Sequence, residues 1–339
     1  MNLYVYNGPL QYFLCRLIQS TFDGDSALGI QYTDCGDFTE VFAEIDALMG
    51  VKPLESIQFR LVDDLRCIGP VDRLFFSNRF NPSEVEIYLK LRKATKRFCA
   101  FEDGLSLYIN YCFYRPDWND DNHRIVAENK IKLWMRNSGL SRFRSVKPYF
   151  LVSKVYDEYY SIFPDIPGRR SSSKWVSLAP AFRNLEKIGS NCDPLSGALI
   201  LSQSLVADDF VSADEYLNFI ALVINDLILK NSIVYFKQHP RDPDWLVKEL
   251  TSIPGCKLLP LTYQRVPVEI LLAQHPAITP YGFWSSSLAY ASGGLLRKAY
   301  TFAPAFMSHI KPSYKLLSLW GSMEKLLMKY EVSTYTPIR

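Results

Sequence analysis

Short apolar runs rich in β-branched and aromatic residues alternate with segments of helical period along most of the chain, and this alternation restricts the fold more than any other feature. Residues 3–6, Leu3-Tyr4-Val5-Tyr6, read as a strand; Asn7-Gly8-Pro9 turns the chain; residues 10–20 read as a helix with one apolar face. Further strands are predicted over residues 27–32, 56–62, 73–77, 98–101 and 149–152, with helices over 38–49 and 83–97 between them. Strands separated by helices do not pair as hairpins; they align in parallel sheets with helices on the faces.

Between Pro164 and Gly197 the pattern loosens into Gly168-Arg169-Arg170-Ser171-Ser172-Ser173, then Pro180, Gly189 and Pro194, and the connection between two lobes is expected there, at about 165–197. A second series opens with Ala198-Leu199-Ile200-Leu201, a continuous apolar strand of the kind buried on both faces. Helices are predicted over residues 213–230, 245–250, 267–274 and 286–296, and strands over 233–236, 256–260, 277–280 and 298–302. The fold class is therefore α/β with two Rossmann-like domains. The first spans 1–185 with its linker, the second 198–310, and 311–339 forms a C-terminal helix that packs on the protein or crosses back to the first domain.

At 339 residues the chain has room for two ordinary cores, and a net charge of +3 with Lys and Arg spread along the sequence gives no footprint for a nucleic-acid partner. Seven cysteines without a C-x-x-C pair argue against a disulfide framework and a zinc site, so a reducing, cytoplasmic setting is expected. No basic-then-apolar leader opens the sequence and no apolar run is long enough to span a bilayer. The segment from Lys311 to Tyr330 carries Tyr314, Leu316, Leu317, Leu319, Trp320 and Leu326 among lysines, a stripe that packs against the protein or docks peripherally on the inner membrane face.

Reactive groups gather at predicted strand ends. Glu102-Asp103-Gly104 follows an apolar strand, and ligands of open α/β sheets bind beyond strand carboxyl ends; an isolated Asp-Gly is otherwise only a turn. Glu102 is favoured as a base that deprotonates a hydroxyl, with Asp103 as its orienting partner, the order of the two remaining open. His239 lies in Lys237-Gln238-His239-Pro240-Arg241, after the strand over 233–236; Pro240 stops the strand, and the flanking Lys237 and Arg241 suit an acid that meets an anionic ligand. His275-Pro276 repeats the dipeptide but ends a helix. Ser285-Ser286-Ser287 opens a helix after a strand and a Tyr281-Gly282 turn, offering hydroxyls and N–H groups to a phosphate, where plain capping needs one serine. Glu269, one turn into the helix after Pro267, can accept two hydrogen bonds from the vicinal hydroxyls of a ribose, or simply favour the helix start. Asp23-Gly24-Asp25 and Asp242-Pro243-Asp244 are metal-like pairs without a third ligand, so no essential metal is expected.

Taken in order, the carboxylate-Asp-Gly, Lys-x-His-Pro-Arg, Pro-x-Glu and Ser-Ser elements resemble the motif set of bacterial sialyltransferases, including the capsule polysialyltransferases and lipooligosaccharide sialyltransferases. Asn7-Gly8-Pro9-Leu10-Gln11 is similar to the first loop of that group, near the donor sugar. The resemblance implies a GT-B fold with a cleft between its lobes, a CMP-sialic acid donor, a glycan acceptor, no divalent metal and inverting transfer. It implies that Glu102 or Asp103 activates the acceptor hydroxyl, that a cationic His239 meets the departing phosphate with Ser285, Ser286 and Ser287, and that Glu269 binds the ribose. It leaves open a related CMP-linked sugar such as pseudaminic, legionaminic or a Kdo-like acid, and an inactive nucleotide- or glycan-binding assembly partner.

Overall fold

A computed structural model describes residues 1–22, 26–32, 37–59, 65, 68–77, 82–102, 157–163, 174–189, 194–230 and 233–338. The chain divides into two units, Met1–Ala181 and Phe182–Arg339.

In the first unit the described strands are β1 Asn2–Tyr6, β2 Ala27–Tyr32, β3 Ser56–Phe59, β4 Val71–Ser77, β5 Thr95–Phe101, β6 Glu158–Ser161 and β7 Lys174–Ser177. They form one parallel sheet in the order β3-β2-β1-β4-β5-β6-β7. All five residues of β1 are buried, as a strand covered on both faces must be. Helix α1 Pro9–Gln19 begins with Pro9, which needs no N–H partner at that position, and buries Phe13, Leu14, Leu17 and Ile18 completely. Each such side chain stabilises the unit by about 1.5–3 kcal/mol. Arg16 of α1 pairs with Asp46 of helix α2 Thr39–Leu48 at 2.7 Å, and Tyr12 Oη donates to the same carboxylate at 2.6 Å.

Helix α3 Pro82–Leu91 is shorter than the segment 83–97 predicted. Ala94 N–H donates to Leu91 O, and β5 starts at Thr95, where the parallel register Val71↔Thr95 and Arg73↔Arg97 claims the backbone. Sheet pairing thereby overrides the helix propensity of Lys93, Ala94 and Lys96. Strands β6 and β7 are absent from the sequence reading; each is four residues long and starts on a charged side chain, too short for a clear period. The strand expected over 149–152 and the Arg169-Arg170 stretch lie outside the described residues. Within the region read as the connection, β7 and helix α4 Ala179–Gly189 are regular elements, and the division between the units falls inside α4.

In the second unit the strands are β8 Gly197–Leu201, β9 Val234–Lys237, β10 Cys256–Leu258, β11 Ile278–Gly282, β12 Tyr300–Thr301 and β13 Ser333–Thr334. They too are parallel, in the order β10-β9-β8-β11-β12-β13. Helices α5 Ala213–Lys230, α6 Asp244–Thr251, α7 Leu261–Gln264 and α8 Val268–Gln274 connect the first strands. Helix α9 Ser286–Ala289 passes into a π-helical turn, Tyr290–Gly294, in which Leu295 N–H reaches Tyr290 O at 3.0 Å. The predicted helix over 286–296 is thus a single α-turn, because Ser292-Gly293-Gly294 holds the α form weakly. Phe219, Phe283, Phe302 and Phe306 form the aromatic centre of this unit. Helices α10 Ala303–His309 and α11 Tyr314–Lys329 follow; Ser313 caps α11, Trp320 lies 6.2 Å from Trp284, and β13 then joins the sheet edge.

Candidate active site

Both sheets have the nearest-neighbour order of a doubly wound fold, with the direction of winding reversing between β1 and β4 in the first unit and between β8 and β11 in the second. Ligands of such sheets bind beyond the strand carboxyl ends at this reversal. In the second unit the register places Leu201 beside both Lys237 and Gly282, so β8, β9 and β11 end level with one another. Their next residues, Ser202-Gln203, Gln238-His239 and Phe283-Trp284-Ser285, therefore emerge at one edge. Ser202 N–H donates to Lys237 O at 3.1 Å, and Trp284 N–H donates to Gln203 Oε1 at 3.1 Å.

His239 is half-buried in the turn between β9 and α6. Its backbone N–H donates to Asp242 Oδ2 at 3.0 Å, and its Nδ1 accepts from the Arg241 backbone N–H at 3.2 Å. A ring nitrogen that accepts carries no proton, so the neutral ring holds its proton on Nε2. Burial lowers the His239 pKa below its ordinary value; Asp242 acts the other way and Arg241 reinforces the shift. The accepting Nδ1 and the downward shift both favour a neutral ring that presents Nε2–H over the cation expected from the flanking Lys237 and Arg241. The cationic neighbours are also engaged elsewhere. Arg241 Nη1 pairs with Asp208 Oδ1 at 2.5 Å. Lys237 Nζ donates to the carbonyls of Tyr263, Gln264 and Val266 at 2.7, 2.9 and 3.1 Å. An ammonium has three N–H groups. All three of Lys237 thus hold the segment from α7 to α8, which assigns this residue to the loop rather than to a phosphate. Burial pushes its pKa down to about 8, opposed by Glu269.

Glu269 stands in the first turn of α8 and is buried, and Ser287 Oγ donates to its Oε1 at 2.8 Å. Burial raises its pKa, with the Ser287 hydrogen bond and Lys237 acting against the shift. Two motifs that are 18 positions apart in sequence meet in this contact. Ser285 caps α9 by accepting from Ser287 N–H at 3.2 Å, and Ser286 is half-buried at the helix start. Pro240 is exposed, and its fixed φ carries the chain from His239 to the Arg241 N–H. His275 ends α8 as a buried structural residue, its Nδ1 accepting from Leu195 N–H at 3.3 Å and its Nε2 lying 2.8 Å from Tyr263 Oη.

At the carboxyl edge of the first sheet, Asn7 and Gly8 link β1 to α1. Asn7 N–H donates to Gln11 Oε1 at 2.9 Å, and a Cβ placed on Gly8 would meet no atom within 4 Å. The register Ser77↔Phe101↔Tyr160 brings the ends of β4, β5 and β6 together. Glu102 follows β5 and is fully buried, not a solvated rim residue. Its carboxylate accepts from Ser161 Oγ at 2.6 Å and from Ile162 N–H at 2.9 Å, while its own N–H donates to Tyr160 O. Asp103, its expected partner, lies outside the described residues, as do Asp23 and Asp25. Asp242, from the other paired-aspartate motif, is bound to the His239 backbone. Among the described residues no group of three His, Cys, Asp or Glu side chains is arranged to hold a metal ion.

Ser161, Gln203, Asp208 and the turn role of Asp242 escape the sequence reading. Ser161 ends a strand without a legible period, and Asp208 sits in the loop after β8 with nothing local to mark it.

Two α/β units, each built on one parallel sheet with motif residues beyond its strand carboxyl ends, make up a fold of the GT-B type. The profile of the Alpha-2,8-polysialyltransferase (POLYST) family matches residues 66–294, more than half of the chain, and the chain belongs to that family. It is a sialyltransferase. Among solved structures it is similar to the 2,6-sialyltransferase of Photobacterium sp. JT-ISH-224 in a ternary complex with the donor product CMP and the acceptor substrate lactose. That likeness has 14% identity and a TM-score of 0.54, over 98% of this chain and 78% of the other. The GT-B domain of the sialyltransferase of Photobacterium damselae, residues 113–497, gives 13% identity and a TM-score of 0.51 over 99% and 100%. At these identities the likeness shows the fold. No curated protein sequence matches significantly. Among the described residues no helix is long and apolar enough to cross a membrane.

Proposed function

We propose that the enzyme moves sialic acid from CMP-sialic acid to a hydroxyl of an acceptor glycan in one inverting displacement, without a divalent metal, in the synthesis of a surface polysaccharide. The observation that carries this reading is the common edge of β8, β9 and β11, where an Nε2–H histidine and the Ser285-Ser286 helix start emerge from level strand ends. The solved relative bound to CMP supports the same nucleotide for this chain.

In the transfer, the acceptor O–H gives its proton to the Glu102 carboxylate and its oxygen bonds to the anomeric carbon, as the bond from that carbon to the phosphate oxygen breaks. The charge left on CMP is met by Nε2–H of His239 and the hydroxyl and N–H groups of Ser285 and Ser286. Ser161 and the Ile162 N–H hold the Glu102 carboxylate in one orientation. Asp103 assists Glu102, Asn7 and Gly8 take the donor carboxylate, and Glu269 takes the ribose.

The test incubates the protein with CMP-N-acetylneuraminic acid and EDTA and measures CMP release with and without a galactose-terminated or sialylated acceptor. Acceptor-stimulated release in EDTA, lost in His239→Ala and Glu102→Ala, is expected. Release that requires added Mg²⁺ overturns the metal-free reading. Absence of CMP binding by the wild type overturns the donor assignment.

A further inference from the structure

The turn that presents His239 is held by a second layer that no motif announces. Asp208 lies in the loop after β8, next to Asp209, whose φ of 55° is left-handed. Its two oxygens face opposite ways in the network: Ser204 Oγ donates to Oδ2 at 2.7 Å and Arg241 Nη1 to Oδ1 at 2.5 Å. Arg241 is also the residue whose backbone N–H reaches His239 Nδ1, across Pro240, whose ring fixes the intervening φ. Asp242 closes the turn from the other side, accepting the His239 N–H and donating its own N–H to His239 O at 2.9 Å. The charged groups around the ring are thus Asp208, Arg241 and Asp242. The Arg241 and Asp208 side chains are 60% and 30% exposed, so the ion pair adds little to global stability. Its consequence is local: it joins the β8 loop to the turn after β9 and fixes where one backbone N–H points.

We infer that Asp208 is a positioning residue for the transfer. By anchoring Arg241 it keeps the Arg241 N–H on Nδ1 of His239, so that the imidazole offers Nε2–H to the departing phosphate. This rests on the leaving-group role proposed for His239. A ring released from the turn samples the other tautomer and other orientations, in which Nε2 is an acceptor and repels the phosphate. Loss of orientation at a reacting centre of this kind lowers rate more than affinity.

The experiment uses the full chain with ¹⁵N-labelled histidine. There are four histidines, and His239→Ala identifies one signal by its loss. The wild-type signal is expected in the Nε2–H tautomer at pH 7.5. Asp208→Ala should convert it to a mixture and lower kcat about tenfold, with KM for CMP-sialic acid changed less than about twofold. Asp208→Asn, whose single amide oxygen can keep the acceptor that faces Arg241 but not the second one that faces Ser204, should recover part of both. An Nδ1–H signal in the wild type overturns the inference, as does Asp208→Ala with an unchanged tautomer, whether its activity is intact or lost with a lowered melting temperature. Full activity in His239→Ala overturns the leaving-group reading itself, whereas an inactive His239→Ala beside a fully active Asp208→Ala overturns only the role of Asp208.

Discussion

Replacing Lys237 with Met separates a loop clamp from a phosphate contact. The ammonium makes three charge-assisted hydrogen bonds to the carbonyls of Tyr263, Gln264 and Val266. Each is worth about 1.5–3 kcal/mol net. Against this stands the cost of burying the charge: a pKa lowered from 10.5 to about 8 corresponds to roughly 3 kcal/mol. Methionine removes that cost but leaves three carbonyls without their donor, and the balance is a loss of roughly 1.5–6 kcal/mol, or several degrees in Tm for a unit of this size. The pH dependence supplies a second signature. Because the folded pKa lies below the unfolded one, the unfolded chain binds more protons between about pH 8 and 10.5, and wild-type stability gains from this group as pH rises through that window. Urea unfolding of wild type and Lys237→Met at pH 7.5, 9 and 10 should show the variant less stable at every pH, with the gap widening toward pH 10. An unaltered unfolding midpoint together with a large loss of CMP affinity would refute the clamp and return Lys237 to the phosphate.

Glu269→Gln keeps an acceptor for Ser287 and removes a buried charge whose pKa burial raises. Thermal unfolding should show no loss of stability, while the Kd for CMP measured by calorimetry rises about tenfold, the equivalent of one charge-assisted hydrogen bond. Ser161→Ala takes away the 2.6 Å hydrogen bond to Glu102 and leaves a buried carboxylate underprovided. A stability loss of about 1–3 kcal/mol and a lower kcat with little change in KM are expected, and equal effects on both kinetic constants count against Glu102 as base. His239 and His275 both titrate below their ordinary value because of burial. As pH falls through about 6.5 the unfolded chain takes up their protons first, so stability should decline on acidification, and activity should fall with it as the neutral His239 is lost. A rate that rises toward pH 5.5 would instead identify imidazolium as the working form.

Much of the scaffold was legible because strands and helices are written in local periods. Residues 27–32 and 213–230 occupy their predicted bounds as β2 and α5, and 198–201 falls within β8 with every side chain buried. Where two local preferences compete, sequence reading drifts. Residues 92–97 favour a helix by composition, yet pairing with β4 draws Thr95 onward into β5. Glycine-weakened helix after Ser286 ends in a π turn for the same reason, a marginal local preference decided by packing. Strands β6 and β7 are too short to carry a period at all, so Ser161, which holds Glu102, had no signal.

The motif residues themselves stand out from the sequence because strand ends and helix starts are local, and from them come His239, Glu102, Glu269 and the three serines as reactive groups at sheet edges. Which partner each group meets is a different kind of fact. Lys237 and Arg241 look alike beside His239, two cations poised for an anion, yet one is bound by carbonyls 26 to 29 positions away and the other by a carboxylate 33 positions away. Those pairings depend on strand register and on how loops from distant strands arrive at one edge, so only the tertiary structure decides them. They turn an expected pair of free cations into groups already engaged around an oriented histidine, because a buried polar group takes the hydrogen-bond partner the fold supplies.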